Sequence, residues 1–379
     1  MNLYKKMGRV AERPHLNLPE GTFEEELGLD GFYGPVSHLY YKNLPTGWSN
    51  IQRSSFQWND RKEAKEEFLR PQCYKKFENG KGGDFFSSAK ILFWNEDTAV
   101  YIHQMDKDTE VYFRNADASE LYFCHQGNPI LESPFGRLQV ETSDYVIVPK
   151  GVSYRWKVKE PTYLLRIESY SDYFKKPETG ILGQQALYHE EAIQAPLFSE
   201  DIGLEKSCVV RIQKEGSLTD LEYPFDLRAL SGWCGTLYPY ALSMRDIAPA
   251  MSPIAHLPPS INSTFVTQSF VVCSFLPRPL EEPPGALRVP FFHSNIDYDE
   301  VIFYHTGDFF SRDNMGLGYL TLHPRGINHG PQPRALKKQA DMKRTEEVAV
   351  MLDTKKPLKV SQFAKDLEIA DYWKSWMPK

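Results

Sequence analysis

The sequence predicts a mainly β protein built from two β-sandwich domains, and three observations carry that expectation. The 379-residue chain has 27 prolines, 24 glycines and 13% aromatic residues, which favours many short strands and turns over long helices. Apolar runs such as VIFY and YLTL are bounded by Gly and Pro turn signals. A stretch near the middle of the chain, Val111 to Trp156, repeats the pattern of a later one, Pro290 to Pro333.

Residues 1–60 read as an extended N-terminal arm. Its run PEGTFEEELGLDGFYG is acidic and turn-rich, yet Phe23, Leu27, Phe32, Tyr33, Tyr40 and Tyr41 call for burial. The arm is therefore expected to wrap the sandwich or a neighbouring subunit. Residues 61–240 hold the first sandwich and a loop-rich connection. Here RKEAKEEFLR (61–70) predicts a short helix, while AKILFWNEDTAVYIH (89–103) and SCVVRIQKEG (207–216) predict strands. Residues 241–379 form the second sandwich, with SFVVCSFLP (269–277) as a buried strand. Beyond it, Lys337 to Lys359 reads as charged and exposed. The tail SQFAKDLEIADYWKSWMPK spaces Phe363, Leu367, Tyr372 and Trp376 as a C-terminal helix that docks on the body.

A formal net charge of −6 argues against a general nucleic-acid binder. No stretch approaches the length of a membrane span, and the N-terminus has no signal-peptide core. The five cysteines (Cys73, Cys124, Cys208, Cys234, Cys273) are scattered without C-x-x-C spacing, which fits free thiols in a reducing cytoplasm.

The two repeats align without a gap, VYFRNADASELYFCHQG on FFHSNIDYDEVIFYHTG. Asn115 falls on Asn295, Glu120 on Glu300, His125 on His305 and Gly127 on Gly307; farther on, VPKGVSY falls on HPRGINH. Two positions decide the chemistry. Phe113 replaces His293 and Tyr154 replaces His329, so the first copy cannot offer the same metal donors. Because His125 occurs in the copy without a site, His305 is expected to be structural. Asp299 and Glu300 face opposite sides of one strand, and the repeat retains Glu120, which favours Glu300 as the inward carboxylate. Two neutral imidazoles and one carboxylate leave open positions on a metal, which suits non-haem Fe(II) and oxygen chemistry.

The spacing of His293, Asn295, Glu300 and Gly307, followed by Gly318, Pro324, Gly326 and His329, resembles the paired motif of the cupin superfamily. Asn295 stands where that motif has its second histidine, so the resemblance implies three ligands, and two cupin-like jelly rolls of which the first carries no metal. The order of His256 in HLPPSINSTF, SFVVCSFLPR, PFFHSN, Glu300 and LHPRGINHGP further resembles the homogentisate 1,2-dioxygenase family. That resemblance implies an Fe(II) enzyme of tyrosine and phenylalanine catabolism that opens homogentisate with O2 to give maleylacetoacetate. The family's iron ligands carry over to His293, Glu300 and His329. Its general base falls on His256, with one residue inserted before the P-S-I that follows. Its second histidine falls on His323, where it would hydrogen-bond the substrate or the oxygen intermediate. A homo-oligomer, a trimer or hexamer, is implied by the resemblance alone.

The chain departs from the family at the substrate. Phe309 stands where the family has a tyrosine that anchors the substrate carboxylate, and Gln332 replaces an acidic residue after HGP. Arg312, Arg325 and Tyr319 are nearby candidates for a replacement anchor. A ring-cleaving cupin for another hydroquinone acid such as gentisate, and a non-enzymatic metal-binding cupin, are the rival readings.

Overall fold

The computed structural model describes residues 3–58, 61–78, 82–178, 183, 187–200, 204–309, 311–312, 314–338 and 342–377. It is mainly β, with two cupin-like sandwiches. The described α-helices are short: Phe85–Ser88, Pro333–Lys338 and Gln362–Asp366.

The first sandwich has two seven-stranded sheets. In one, the strands run Tyr240–Ser243, Asp144–Val148, Ser119–Gln126, Thr162–Ser169, Thr98–Met105, Lys90–Trp94, Lys359–Val360. Thr162–Ser169 is buried along its whole length, as a central strand covered on both faces should be. The other sheet carries Ser153–Lys157 beside Tyr112–Asn115, with Tyr154 directly opposite Phe113.

The second sandwich is built on a six-stranded sheet: Ser263–Val266, Phe270–Phe275, Val348–Thr354, Asp299–Thr306, Leu320–His323, Gln72–Tyr74. Across from it lie the short pair Arg278–Pro279 with Arg344–Thr345 and an isolated antiparallel bridge between His293 and His329. That bridge is the counterpart of the Phe113–Tyr154 pairing, so the backbones of both copies converge at the same point. The sandwiches share one apolar core, in which Phe123 meets Phe303 at 6.1 Å.

His125 and His305 meet at this junction, Nδ1 to Nδ1 at 2.8 Å, and Ser143 Oγ lies 2.8 Å from His305 Nε2. Burial holds His125 down to about 3 and His305 down to about 4. The repeated histidine thus joins the two copies.

Several expectations are corrected. Residues 61–70 are not helical. Ala64 N–H donates to Val360 and Gln362 N–H to Lys62 O, so the segment runs extended along the tail. A single isolated ten-residue helix is marginal, and edge pairing wins. The range 337–359 is not an exposed tail, because Val348–Thr354 is a buried strand inside the six-stranded sheet. Its apolar run VAVML is masked in sequence by charged flanks. Tyr40 and Tyr41 are buried as expected, but Phe32 and Tyr33 project into solvent at 91% and 98% exposure. The arm does wrap the body: Phe23–Gly28 and Val36–Tyr41 pair with one another and join Leu230–Gly235. The tail is helical in two pieces, Gln362–Asp366 and a 3-10 turn Tyr372–Trp376.

Candidate metal centre

Three sequence-predicted residues converge. One donor atom from each of His293, Glu300 and His329 lies within 4.8 Å of the others. The His293–His329 bridge exchanges both backbone hydrogen bonds at 3.0 Å and brings the rings to 4.1 Å. Glu300 reaches them from the opposite sheet, its Oε2 3.6 Å from His329 Nε2. His329 Nε2 is buried and has no hydrogen-bond partner. A donor set of two imidazoles and a carboxylate, with a buried lone pair left over, fits a divalent transition metal.

Strand register places the support. Glu300 lies opposite His323 on one side and opposite Asp353 on the other. His323 Nδ1 is 2.5 Å from Glu300 Oε1, and its ring stacks on His329 at 4.7 Å. It is fully buried and holds the carboxylate from behind instead of lining the cavity in front. Burial opposes ionisation of Glu300, but the hydrogen bond from His323 and the nearby His329 ring hold its carboxyl well below the usual range. Burial lowers His323 to about 4, so at neutral pH it is an uncharged ring. Asp353, by contrast, is driven well above the carboxylate range by burial and by the charge on Glu300.

The cluster opens on a cavity that His256 also lines. His256 reaches His293 through Phe291, with ring centroids 5.9 and 5.6 Å apart. Its Nδ1 lies 2.9 Å from Glu281 Oε1, which fixes that nitrogen as the donor and leaves Nε2 as the acceptor. Burial outweighs Glu281 and lowers His256, so the ring is neutral and able to take a proton. Asp299 faces the other way as expected, accepting from Arg325 N–H at 3.0 Å and from Leu358 N–H at 2.7 Å.

The candidates for a carboxylate anchor now separate. Arg325 is bound to Asp299 and to the carbonyl of Lys355 at 2.5 Å. Tyr319 packs with the apolar cluster that contains Phe309, whose ring meets Tyr304 at 4.9 Å. Arg312 lines the cavity but is committed to the carbonyls of Gly330 (2.8 Å) and Ser311 (3.2 Å), where it braces the turn after His329. Trp376 Nε1–H donates to the same Gly330 carbonyl at 3.2 Å, so the tail braces the same turn.

Sequence reasoning missed Glu281, Arg278, Glu347 and Met351, all of which touch this cavity or its base. Arg278 is a half-buried guanidinium whose side chain makes no hydrogen bond among the described residues; its charge faces Glu281 and Glu347. Burial pushes Glu347 up to about 7 against the pull of Arg312 and Arg278. No motif marks these positions. Strand register in the structure sets VAVMLDT on YLLRIES and so Met351 on Arg166.

The sequence profile described as Homogentisate 1,2-dioxygenase N-terminal matches residues 85–244. A Saccharolobus solfataricus protein named "Putative dioxygenase SSO1533" is 33% identical over 389 residues, covering 99% of each chain. Homogentisate 1,2-dioxygenases of Dictyostelium discoideum and Bradyrhizobium diazoefficiens are 27% and 24% identical, covering 73% of this chain and 68% and 66% of theirs. The chain thus spans about two thirds of the length of these two enzymes. Among solved structures, a Cupin 2 conserved barrel domain protein from Leptotrichia buccalis aligns over 74% of this chain and 99% of its own, at 11% identity and TM-score 0.33. No described helix is long and apolar enough to cross a membrane. The chain belongs to the homogentisate 1,2-dioxygenase family, and it is a dioxygenase.

Proposed function

We propose that the protein is an Fe(II)-dependent ring-cleaving dioxygenase that converts homogentisate and O2 to maleylacetoacetate in tyrosine and phenylalanine catabolism, as a cytoplasmic homo-oligomer. The observation that carries this reading is the convergence of His293, Glu300 and His329 at the floor of a cavity walled by the His256–Glu281 pair. His293, Glu300 and His329 would hold the iron. Bound there, Fe(II) would supply open coordination positions and a route for electron density from the ring to O2.

The remaining work falls to the chain. His256 Nε2 accepts the phenolic proton, which makes the ring a better electron donor, while Glu281 steadies the resulting imidazolium. His323 keeps the Glu300 carboxylate in one orientation. Phe275, Ile302 and Met351 give the ring an apolar seat and exclude water. Arg278 receives the substrate carboxylate, because it is the cavity guanidinium with no hydrogen bond of its own among the described residues.

Oxygen uptake by Fe(II)-loaded protein given homogentisate, with absorbance followed for a ring-opened product, tests the reading. Uptake should vanish in His293→Ala and Glu300→Ala. In Arg278→Gln, KM should rise about 10- to 100-fold with kcat changed far less, the loss of one charge-assisted hydrogen bond.

A second reading, a different hydroquinone acid such as gentisate, is favoured by Phe309, which gives no hydroxyl for a carboxylate. Uptake with gentisate and none with homogentisate would move the substrate and keep the mechanism. Iron binding with no uptake from any hydroquinone acid would leave a metal-binding cupin without this activity.

A further inference from the structure

A second cluster of metal-type donors lies outside the cavity, on the N-terminal arm. His15, Glu24 and His38 bring one donor atom each within 4.8 Å of the others. Local structure explains the convergence. In the hairpin of Phe23–Gly28 with Val36–Tyr41, Glu24 lies opposite Tyr40 and Glu26 opposite His38. Residues two apart on a strand share a face, so both glutamates and His38 project on the same side. His15 arrives from the turn Arg13–Leu16 in the left-handed region, at φ 63°. Histidine enters this region more often than most residues, and a hydrogen bond can fix it there. Glu24 does so, its Oε2 accepting the backbone N–H of His15 at 2.9 Å.

The polar atoms are arranged as ligands of a common centre. His15 Nδ1 stands 3.0 Å from Glu24 Oε2, and His38 Nδ1 stands 3.2 Å from Glu24 Oε1. The second pair is within reach, yet both atoms are buried and neither has a hydrogen-bond partner. His38 is 7% exposed. Two buried polar atoms facing each other at this separation without a hydrogen bond match the edge of a coordination polyhedron. Donors about 2.1 Å from one tetrahedral ion lie roughly 3.4 Å apart. The other ring nitrogen of His15 is 3.1 Å from Glu26 Oε2. A carboxylate on the far nitrogen of a ligating imidazole fixes its tautomer and raises its basicity.

We propose that His15 Nδ1, His38 Nδ1 and Glu24 bind a second divalent ion, of the zinc class, with Glu26 orienting His15. Imidazole ligands favour a borderline transition ion over calcium or magnesium. Its position on the arm gives it a structural role, because it clips the turn at His15 to the hairpin.

The test uses full-length protein stripped by chelator and equilibrated with Zn2+, in wild type and in a His293→Ala background that disables the cavity cluster. Bound metal per chain should fall by one equivalent on adding His38→Ala, and equally on adding His15→Asn. Asn tolerates the left-handed conformation and His15 is exposed, so His15→Asn decides the matter should His38→Ala misfold. Co2+ loaded in place of Zn2+ should give visible ligand-field bands in His293→Ala that disappear in His293→Ala/His15→Asn. Unchanged stoichiometry and spectra in the His15→Asn protein would overturn the proposal. That outcome differs from failure of the cavity reading, which would appear as unchanged metal content in His293→Ala alone.

Discussion

The two sandwiches place a buried glutamate at the same point of the same strand and neutralise it in different ways. In the first copy Glu120 accepts from Tyr154 Oη at 2.8 Å and Tyr122 Oη at 3.2 Å, and Arg166 lies 2.7 Å away. Arg166 also pairs with Glu168, and it is seated over the rings of Trp58, Phe85, Tyr101 and Phe113. The register is duplicated in the second copy. Glu120 lies opposite Val148 and Glu168, just as Glu300 lies opposite His323 and Asp353. Met351 therefore occupies the place of Arg166, and Ile302 that of Tyr122. The second copy has lost its built-in cation and both phenols, and has three imidazoles instead. A buried carboxylate without a positive partner is costly, and His323 is neutral near pH 7. The difference teaches that the candidate metal centre lies where the first copy keeps a guanidinium.

Restoring the guanidinium is the largest test. Met351→Arg should set a positive charge against Glu300, and iron content and oxygen uptake should both fall to background while the far-UV circular dichroism is unchanged. Full iron loading in this variant would break the comparison. The converse change, Arg166→Met, leaves Glu120 and Glu168 buried without their cation. It should cost about 3–5 kcal/mol of stability, read as a lower urea midpoint. A smaller effect is expected from His323→Val, which installs the residue the first copy has at Val148. Losing the group that orients Glu300 should weaken Fe(II) binding about 10- to 100-fold, measured by competition with a chromogenic chelator.

The feature both copies share gives the gentlest test. His125 and His305 have folded-state values depressed to about 3 and about 4, below the ordinary histidine value near 6.5. Between roughly pH 6.5 and pH 4 the unfolded chain binds protons that the folded chain refuses, so stability falls as pH falls. Each histidine contributes a slope of up to about 1.4 kcal/mol per pH unit. Urea titrations across this window should show the slope, and His305→Gln should lower it by that residue's own share, up to about 1.4 kcal/mol per pH unit.

Much of the second site was legible because its residues are crowded into one motif. His293, Glu300 and His329 follow spacing that chain geometry imposes on a strand, a turn and a returning strand, and the internal repeat separated His305 from the ligands. The strand Val348–Thr354 was not legible. A buried central strand has no alternation to reveal it, and VAVML is short and flanked by charge. With it went Met351 and Asp353, and so the reason the second copy has room for a metal. Arg278 and Glu281 were hidden for another reason: their places follow from how a proline-rich loop packs. The helix expected at 61–70 failed because helical spacing in ten mostly charged residues is weaker than an open strand edge nearby. The three donors on the arm are distant in sequence, and only strand register brings Glu24 and His38 together.

The sheets are closed by strands taken from far along the chain. Lys359–Val360 pairs with Lys90–Trp94, while Gln72–Tyr74 pairs with Leu320–His323. On the ribosome this crossing has a cost in time. The edge at Lys90–Trp94 emerges long before its partner at Lys359–Val360. At about 5–20 residues per second that edge stays open for on the order of ten seconds or more. An unpaired apolar strand is a template for another chain, so the nascent protein is exposed to strand exchange with its neighbours until that partner arrives.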